Sequence, residues 1–367
     1  MRLATHPLLA AGISAAFAAT MAAGGLVLPA TTLADSPAAS CVPAGDTGLT
    51  AAVSVPSGAH VHGLQVDAAG CDIGIFVGPG SSGTMVTGST VRGANDHGIF
   101  VENASHVTIA GNLVTGNGVA PTAGINEDKA LQLTGTRDSM VRDNRVVGNV
   151  ADGGIGVSDN GPLDPGAPQG STLHAGRGNS VVHNVVEDNL TGCGIVVAAY
   201  DPGAGVWDNM IVGNLVVNSD STIGVFPPAV GGIVVATDPP GTSAGGNKVV
   251  ANTITNSFIP GIIVHSNAPG NAVSDTLVSA NRLANDGWGM ADGPAAKVAI
   301  IVSGPTLPPF LPAATLSGIK VVGNQIAASE DIGICFSLTA TSSLAGGLGA
   351  NHAGTPVLHS ATCFGSE

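Results

Sequence analysis

An asparagine between apolar residues recurs along the chain in one fixed pattern, and this repeat restricts the folds that the sequence can adopt. Each copy has a Val or Ile three positions before the Asn and a Val, Ile or Leu two positions after it. The copies are centred on Asn112, Asn144, Asn184, Asn214, Asn252, Asn281 and Asn324. The shortest repeats are about 23 residues long, and longer ones differ by insertions at two recurring points, as in solenoid coils with loops.

A second pattern, a Gly followed by an apolar-x-apolar run, alternates with the first. Its copies begin at Gly74, Gly98, Gly154, Gly194, Gly232 and Gly261, with looser copies at Ala130, Ala299 and Gly333. Such short alternating runs predict strands, and Gly and Asn at their ends permit the tight, positive-φ corners of a coil. Because stacked strands lie ~4.8 Å apart, the Asn is predicted to form a ladder whose amides donate to one neighbouring coil and accept from the other.

These repeats predict an all-β fold, a right-handed parallel β-helix solenoid of about 8–10 coils. A leucine-rich horseshoe requires Leu at a fixed spacing that the chain lacks, and a β-sandwich leaves the Asn register unexplained. The Gly-Ile-x-Val and Val-x-x-Asn-x-Val units resemble those of the pectate-lyase-like superfamily over residues 72–336. That group includes polysaccharide lyases, hydrolases, epimerases and carbohydrate-binding proteins with sugar-hydrolase-type repeats, so the resemblance implies a polysaccharide ligand. The Arg-x-Pro-x-x-Arg of pectate lyases and the Gly-His-Gly and Arg-x-Lys of polygalacturonases are absent from the sequence.

The chain begins with the pattern of a secretory signal peptide: Arg2, an Ala-rich apolar run and small residues before Asp35. The predicted domains are a signal peptide over 1–34, an N-terminal cap over 35–71, the β-helix over 72–336 and a C-terminal cap over 337–367. No later segment is long and apolar enough to cross a bilayer, so we predict a secreted, extracellular protein without a transmembrane segment in the mature chain. Lipoprotein anchoring at Cys41 is an alternative.

Export places the cysteines in an oxidising compartment. Cys41 and Cys71 lie near the predicted mature start, Cys335 and Cys363 lie near the end, and Cys193 stands alone between them. Two disulfides, one at each end of the solenoid, fit these positions because a terminal coil lacks one neighbour. The sequence leaves the pairing open. Cys193 is predicted to be a small buried residue.

An acidic column appears when the coils are aligned, three residues before the inward Ile or Leu of four successive coils and of one coil near the end. Its members are Asp72, Asp96, Asp128, Asp152 and Asp331. With the residues beside them, these give candidate catalytic residues His97, Lys129 and Asp128 and candidate binding residues Asp96, Glu102, Glu127 and Asp152. Asp96, Asp128 and Asp152 could bind Ca²⁺, since stacked carboxylates repel unless they take up protons or a cation. The favoured alternative is that each Asp caps a backbone turn before its strand.

Charge and composition limit the kinds of partner that the protein can bind, but they do not distinguish between possible functions. The formal net charge of -14 disfavours nucleic acid. One hypothesis is that the protein binds or processes an extracellular polysaccharide. A lyase, epimerase or hydrolase mechanism would then use His97 or Lys129 as the base. The other is a non-catalytic secreted or surface module for adhesion or structure. An outward apolar row is predicted to lie under a loop or a partner, and its members are Val196, Val234, Ile263 and Ile301.

Overall fold

A computed structural model shows the protein as stacked β-strands. It describes residues 40–45, 47–120, 129–150, 153–159, 174–189, 191–219, 231–258, 260–266, 268, 270–287, 297–304, 314–337, 340, 344–346, 350–360 and 363. The chain separates into two units, Met1–Ser36 and Pro37–Glu367, and every described residue belongs to the second. In this part of the chain, no helix is long and apolar enough to cross a membrane.

The longer strands, which include the Gly-apolar-x-apolar runs, stack into one sheet, called sheet A. All its neighbours pair in parallel except the first two strands, which are antiparallel. In spatial order the strands are Val42–Pro43, Thr50–Ser54, Ile73–Val77, His97–Glu102, Leu131–Thr134, Gly153–Ser158, Cys193–Ala199, Ile233–Thr237, Ile262–Ser266, Val298–Ser303, Ile332–Ser337 and Thr355–Ser360.

Short strands on either side of the Asn repeat form two further parallel sheets. Sheet B contains His60–His62, Met85–Thr87, Thr108–Ala110, Met140–Arg142, Ser180–Val182, Met210–Val212, Lys248–Val250, Leu277–Ser279, Lys320–Val322 and Leu344–Gly346. Sheet C contains Gln65–Asp67, Thr90–Arg92, Leu113–Thr115, Arg145–Val147, Val185–Glu187, Leu215–Val217, Thr253–Thr255, Arg282–Ala284, Gln325–Ile326 and Ala350–Asn351. Ten strands in each sheet correspond to ten coils, within the predicted range.

The longer coils add a fourth sheet, sheet D, between sheets A and B. Its strands are Gly176–Arg177, Val206–Trp207, Ser243–Gly245, Ala272–Ser274 and Thr315–Ser317. The chain therefore runs from sheet A, through sheet D where present, to sheet B and then sheet C before it starts the next coil. This order confirms the predicted parallel β-helix.

The repeat asparagines form the predicted ladder at the corner between sheets B and C. The backbone N–H and the Nδ2 of Asn144 both donate to Oδ1 of Asn184, each over 2.9 Å, and Nδ2 also donates to the carbonyl oxygen of Ile109 on the preceding coil at 2.9 Å. Equivalent contacts join each asparagine to the next from Asn112 to Asn324. Each amide thus satisfies polar groups of both neighbouring coils, and we call this set the first ladder.

The apolar positions of the repeats fill the inside of the coils. Ile195, Ile233 and Ile262 lie in register on successive strands of sheet A and are fully buried. Burial of one such side chain contributes about 1.5–3 kcal/mol. The core is therefore one continuous stack that runs along the solenoid.

The cysteines confirm the two predicted terminal disulfides. Cys41 pairs with Cys71 and Cys335 pairs with Cys363. Cys193 is outside these pairs and is buried, as predicted. Each disulfide closes a loop at one end of the described solenoid, where a coil has only one neighbour.

Candidate functional site

Four of the predicted site residues lie in the described part of the chain: Asp96, His97, Glu102 and Lys129. Asp128, Glu127 and Asp152 lie outside the described residues. The roles predicted for those three therefore remain predictions, and the candidate site is built from the other four and their neighbours.

Three strands of sheet A, His97–Glu102, Leu131–Thr134 and Gly153–Ser158, bring polar side chains together on the outward face of the sheet. We call this group the polar cluster: His97, Glu102, Lys129, Gln132, Thr134 and Ser158. All six side chains are buried, with at most 3% of their surface exposed. The parallel register explains the grouping, because Thr134 lies between Glu102 and Ser158 on adjacent strands.

The outward column that contains Gln132 becomes apolar further along sheet A. Its residues there are the predicted row Val196, Val234, Ile263 and Ile301, aligned by strand pairing. All four are buried, with between 0% and 6% of their surface exposed, as expected of a covered row. Gln132 is therefore a polar departure from a column that is apolar in these later coils. Glu102, Thr134 and Ser158 lie in a different outward column, which continues through Ala198 and Ala236 to His265 and Ser303.

The imidazole of His97 is fixed in one tautomer by the next coil. Its Nδ1 lies 2.8 Å from the carbonyl oxygen of Lys129, and because a carbonyl oxygen only accepts, Nδ1 carries the proton. The ring stacks on Phe100 with 4.8 Å between centroids. Burial lowers the pKa of His97 more than the nearby Asp96 and Asp72 raise it. A neutral ring protonated on Nδ1 has Nε2 as its basic atom, which suits a general base.

Gln132 lies at the centre of the polar cluster beside a small cavity. Its Nε2 donates to Ser158 Oγ at 2.9 Å and to Thr134 Oγ1 at 3.1 Å, while its buried Oε1 has no hydrogen-bond partner. The cavity, of about 10 Å³, is lined by Lys129, Gln132, Gly156, Val157, Ser158, Val196 and Tyr200. This volume suits one water-sized group. The unpaired Oε1 can accept a hydrogen bond from such a group.

Gly156 keeps this space open. A Cβ built on Gly156 would overlap Gln132 Oε1 and lie 2.8 Å from Lys129 Cγ. The glycine is part of a Gly-Ile-Gly-Val run that fits the strand repeat, so its second Gly carries no signal of a site in the sequence alone.

Glu102 ends its strand at the edge of the polar cluster. It is buried, and its Oε1 accepts a long hydrogen bond of 3.5 Å from Asn103 Nδ2. The Asn103 Oδ1 in turn lies 2.6 Å from His174 Nδ1. The structure therefore places a carboxyl group on the same outward face as His97 and Lys129.

A buried carboxylate that the sequence did not single out, Asp159, fixes the loop that begins at Tyr200. Asp159 accepts hydrogen bonds from the N–H groups of Tyr200 and Gly205, each at 2.7 Å, and from Asp201 at 3.2 Å. Burial raises the pKa of Asp159 to about 7, although these amide donors act to lower it. Asp159 thereby positions Tyr200, which lines the cavity of the polar cluster.

The two end members of the acidic column, Asp72 and Asp331, accept hydrogen bonds from backbone amides. Asp72 Oδ2 accepts from the N–H of Thr50 at 2.8 Å, and Asp331 Oδ2 accepts from the N–H of Lys297 at 3.0 Å. Each carboxylate thus binds the backbone of the preceding coil and not the turn before its own strand, so the favoured interpretation as turn caps stays a prediction. Asp96 lies next to Asp72 in register and is fully buried.

Among the described residues, no group of three or more His, Cys, Asp or Glu side chains could hold a metal ion. The predicted Ca²⁺ site needs Asp128 and Asp152 together with Asp96, and two of these three lie outside the described residues. The Ca²⁺ site therefore remains a prediction.

Comparison with protein families identifies the class of the chain. The family described as "Right handed beta helix region" matches residues 53–237, which is half of the chain. The chain belongs to this right-handed β-helix family. No curated protein matches the sequence.

Solved structures share the fold at low sequence identity. The catalytic domain of Agl-KA aligns with a TM-score of 0.45 and 11% identity, over 83% of this chain and 47% of that one. The chain thus spans about half the length of that domain. PfbA, a surface adhesin of Streptococcus pneumoniae, aligns with a TM-score of 0.49 and 10% identity, over 86% of this chain and 83% of that one.

A third similar structure is the A-module of a mannuronan C-5 epimerase from Azotobacter vinelandii, with a TM-score of 0.40 and 14% identity. That alignment covers 85% of this chain and 84% of the module. At these identities the likeness concerns the fold alone.

Proposed function

We propose that the protein is secreted and binds or processes an extracellular polysaccharide at the polar cluster. The observation that carries this proposal is the local change in the outward face of sheet A. Later coils have Val or Ile at the register position of Gln132, and the next two coils have Ala at that of Ser158, so the fold does not require polar side chains at these positions. Buried ionisable groups that the fold does not require are expected at functional sites.

The residues of the polar cluster have complementary chemistry. His97 offers Nε2 as a base, Glu102 offers a carboxyl group and Lys129 offers an ammonium group that can stabilise developing negative charge. The unpaired Oε1 of Gln132 can accept from a sugar hydroxyl. Tyr200, which is partly exposed beside the cavity, offers an aromatic ring for a sugar to stack on.

The disulfides support the extracellular part of the proposal. Both pairs require an oxidising compartment, which export provides. In this proposal residues 1–34 are the signal peptide, and the Cys41–Cys71 disulfide disfavours lipid anchoring at Cys41 because that sulfur is already bonded.

A second function is favoured by the burial of the polar cluster. Its six side chains are at most 3% exposed, and a catalytic group must reach its substrate. A non-catalytic adhesion or structural module, with the polar cluster as an internal hydrogen-bond network, accounts for that burial directly.

Substitutions in the polar cluster separate the two functions. The full chain is tested on a panel of neutral and acidic polysaccharides, with binding and the release of new reducing ends measured in parallel. We expect His97→Ala to lower turnover about 100-fold or more, the usual effect of losing a general base. Lys129→Ala and Gln132→Ala are expected to weaken binding or turnover at least about tenfold. Asp128→Ala, outside the polar cluster, tests the predicted role of Asp128 in the same assays.

Lys248→Ala and Lys320→Ala are the matched controls, because both lysines are exposed on sheet B. They should leave binding and turnover unchanged. If a polysaccharide is bound but the polar-cluster variants bind it as well as the unsubstituted chain, the binding site lies elsewhere. If the panel is neither bound nor cut, the non-catalytic module is the better account.

A further inference from the structure

A second ladder lies beside the first, at the corner that follows sheet C. Its first members are Asn117, Asn149 and Asn189. The N–H and Nδ2 of Asn117 donate to Asn149 Oδ1 at 3.0 and 3.1 Å, and those of Asn149 donate to Asn189 Oδ1 at 3.3 and 3.0 Å. The Nδ2 of Asn149 also donates to the carbonyl oxygen of Val114 on the preceding coil at 3.2 Å. Each amide is therefore both acceptor and donor, as in the first ladder.

The residue type of the second ladder changes towards the C-terminal end. Ser219 and Ser257 take the next two positions, and two carboxyl groups follow. Asp286 Oδ1 accepts from the N–H of Ser257 at 2.9 Å, and Glu330 Oε1 accepts from the N–H of Asp286 at 2.8 Å. One oxygen of each carboxyl group thus takes the acceptor place that Asn Oδ1 has in the earlier coils.

The other oxygen of each carboxyl group is buried without a hydrogen-bond partner. These atoms are Asp286 Oδ2 and Glu330 Oε2. The residues themselves are 0% and 2% exposed. Bulk water therefore does not reach these oxygens, and an ionised carboxylate would carry its charge into the interior at a large desolvation cost.

Asp286 Oδ2 occupies the position that the side-chain amide nitrogen, a hydrogen-bond donor, has in the asparagine coils. A Cβ built on Gly98 would lie 2.7 Å from Asn117 Nδ2, and a Cβ built on Gly261 would lie 2.6 Å from Asp286 Oδ2. In the asparagine coils, the nitrogen at this place donates to a backbone carbonyl of the preceding coil. By register, Ile254 supplies the equivalent carbonyl beneath Asp286. An oxygen can make that contact only as an O–H donor.

We propose that Asp286 and Glu330 are protonated in the folded protein and that their O–H groups replace the amide donors of the second ladder. The last coils then form a proton-dependent joint, which we call the carboxyl joint. The ligand of this site is a proton, and the fold supplies an acid-stabilised connection between the C-terminal coils.

The charged groups around the carboxyl joint agree with this assignment. Burial raises the pKa of Asp286 to about 8 and the nearby Glu330 also raises it, whereas the N–H and hydroxyl of Ser257 and the N–H of Ala284 lower it. Burial likewise raises the pKa of Glu330, against the lowering effects of the Asp286 N–H and the Lys297 ammonium. Asp331, the remaining carboxylate beside the carboxyl joint, is engaged by the N–H of Lys297.

The sign of the pH dependence follows from these raised values. An unfolded Asp ionises at about pH 4, so between about pH 4 and 8 the folded chain holds a proton that the unfolded chain has lost. The contribution of Asp286 to stability is complete below about pH 4, falls as the pH rises towards 8 and is constant above that. Each pH unit in this window changes the unfolding equilibrium constant about tenfold.

Equilibrium unfolding of the full chain in denaturant, measured from pH 5 to 9, tests the carboxyl joint. We expect Asp286→Asn to restore the amide of the ladder. Between pH 5 and 8, the dependence of the unfolding free energy on pH should then correspond to about one fewer proton released on unfolding. Asp331→Asn is the matched control, an exposed neighbour whose substitution should leave the slope unchanged. Equal slopes for the unsubstituted chain and Asp286→Asn would overturn the proposal.

Infrared spectroscopy gives a second, direct measurement at pH 7. The carbonyl stretch of protonated carboxyl groups should be present in the folded chain and weaker in Asp286→Asn. If the band is unchanged by that substitution, Asp286 is ionised and the proposal is wrong. If Asp286→Asn does not fold, Glu330→Gln takes its place, with the same denaturant unfolding and infrared measurements.

Discussion

The two ladders differ in how constant their residues are, and the lengths of the adjoining chain explain the difference. The first ladder keeps Asn in every coil from Asn112 to Asn324, at a corner where sheets B and C are always joined by the same short link. The second ladder follows sheet C, where the chain to sheet A ranges from a few residues, as between Val147 and Gly153, to many, as between Ala284 and Val298. A fixed corner geometry allows one residue type to serve every coil, whereas a variable one admits amide, hydroxyl and carboxyl groups.

The second ladder also explains the glycines that begin the strands of sheet A. The sequence predicted that such glycines provide positive-φ corners, yet Gly98, Gly232 and Gly261 are not among the residues with positive φ. Instead, a Cβ on Gly232 would lie 2.7 Å from Ser257 Oγ, and Gly98 and Gly261 have similar contacts with ladder side chains. These glycines make room for the second ladder. Positive φ occurs at other corner positions, such as Asp143, His183 and Gly213.

The largest effect should come from breaking the first ladder at its middle with Asn184→Ala. The substitution removes the acceptor for the N–H and Nδ2 of Asn144 and the donors to Val141 O and Asn214 Oδ1. Because these groups are buried, we expect a loss of about 3–5 kcal/mol in the free energy of unfolding. Denaturant unfolding measures it, with Gln325→Ala, exposed on sheet C, as the control. A loss below about 1 kcal/mol would show that neighbouring coils re-form these hydrogen bonds.

The repeats were sufficient to predict the architecture, because Asn112 and its equivalents fix both the strand positions and the stacking register. The terminal disulfides could be predicted as well, since an end coil is where a crosslink fits. His97, Glu102 and Lys129 were named as candidates because they lie in or beside a repeated strand, and their roles remain predictions. Gln132 and Asp159 were missed because, in the sequence, a single polar residue within or after a strand does not differ from the many polar residues at other strand ends. Which groups meet depends on the folded register.

The second ladder was not predicted for a related reason. Its first three members are Asn and lie five residues after asparagines of the first ladder, but Ser257 and Glu330 share no residue type with them, so the repeat is lost in the later coils. Glu330 even lies one residue later than its equivalents and reaches the same place through its longer side chain. Only the hydrogen bonds between coils identify them as one set.

A smaller effect is expected from filling the space that the second ladder needs. In Gly232→Ala, the new Cβ would lie 2.5 Å from Ile254 Cγ2 and 2.7 Å from Ser257 Oγ. Such overpacking should lower the free energy of unfolding by about 1–3 kcal/mol. Gly346→Ala is a suitable control, since its Cβ would meet nothing nearer than 3.7 Å. If both variants unfold alike, the second ladder can shift without loss and does not explain the strand glycines.

The smallest effect, and the only expected gain, comes from making the second ladder more like the first with Ser219→Asn. Ser219 Oγ is buried without a hydrogen-bond partner, and it lies where an amide lies in earlier coils, since a Cβ on Gly194 would be 2.6 Å from it. An Asn there should accept from Asn189 and raise the free energy of unfolding by about 1 kcal/mol. Ser180→Asn, on the outward face of sheet B, should change it little. A destabilised Ser219→Asn variant would mean that the coil spacing at this corner is set for a hydroxyl group, and that the two ladders differ in geometry as well as in residue type.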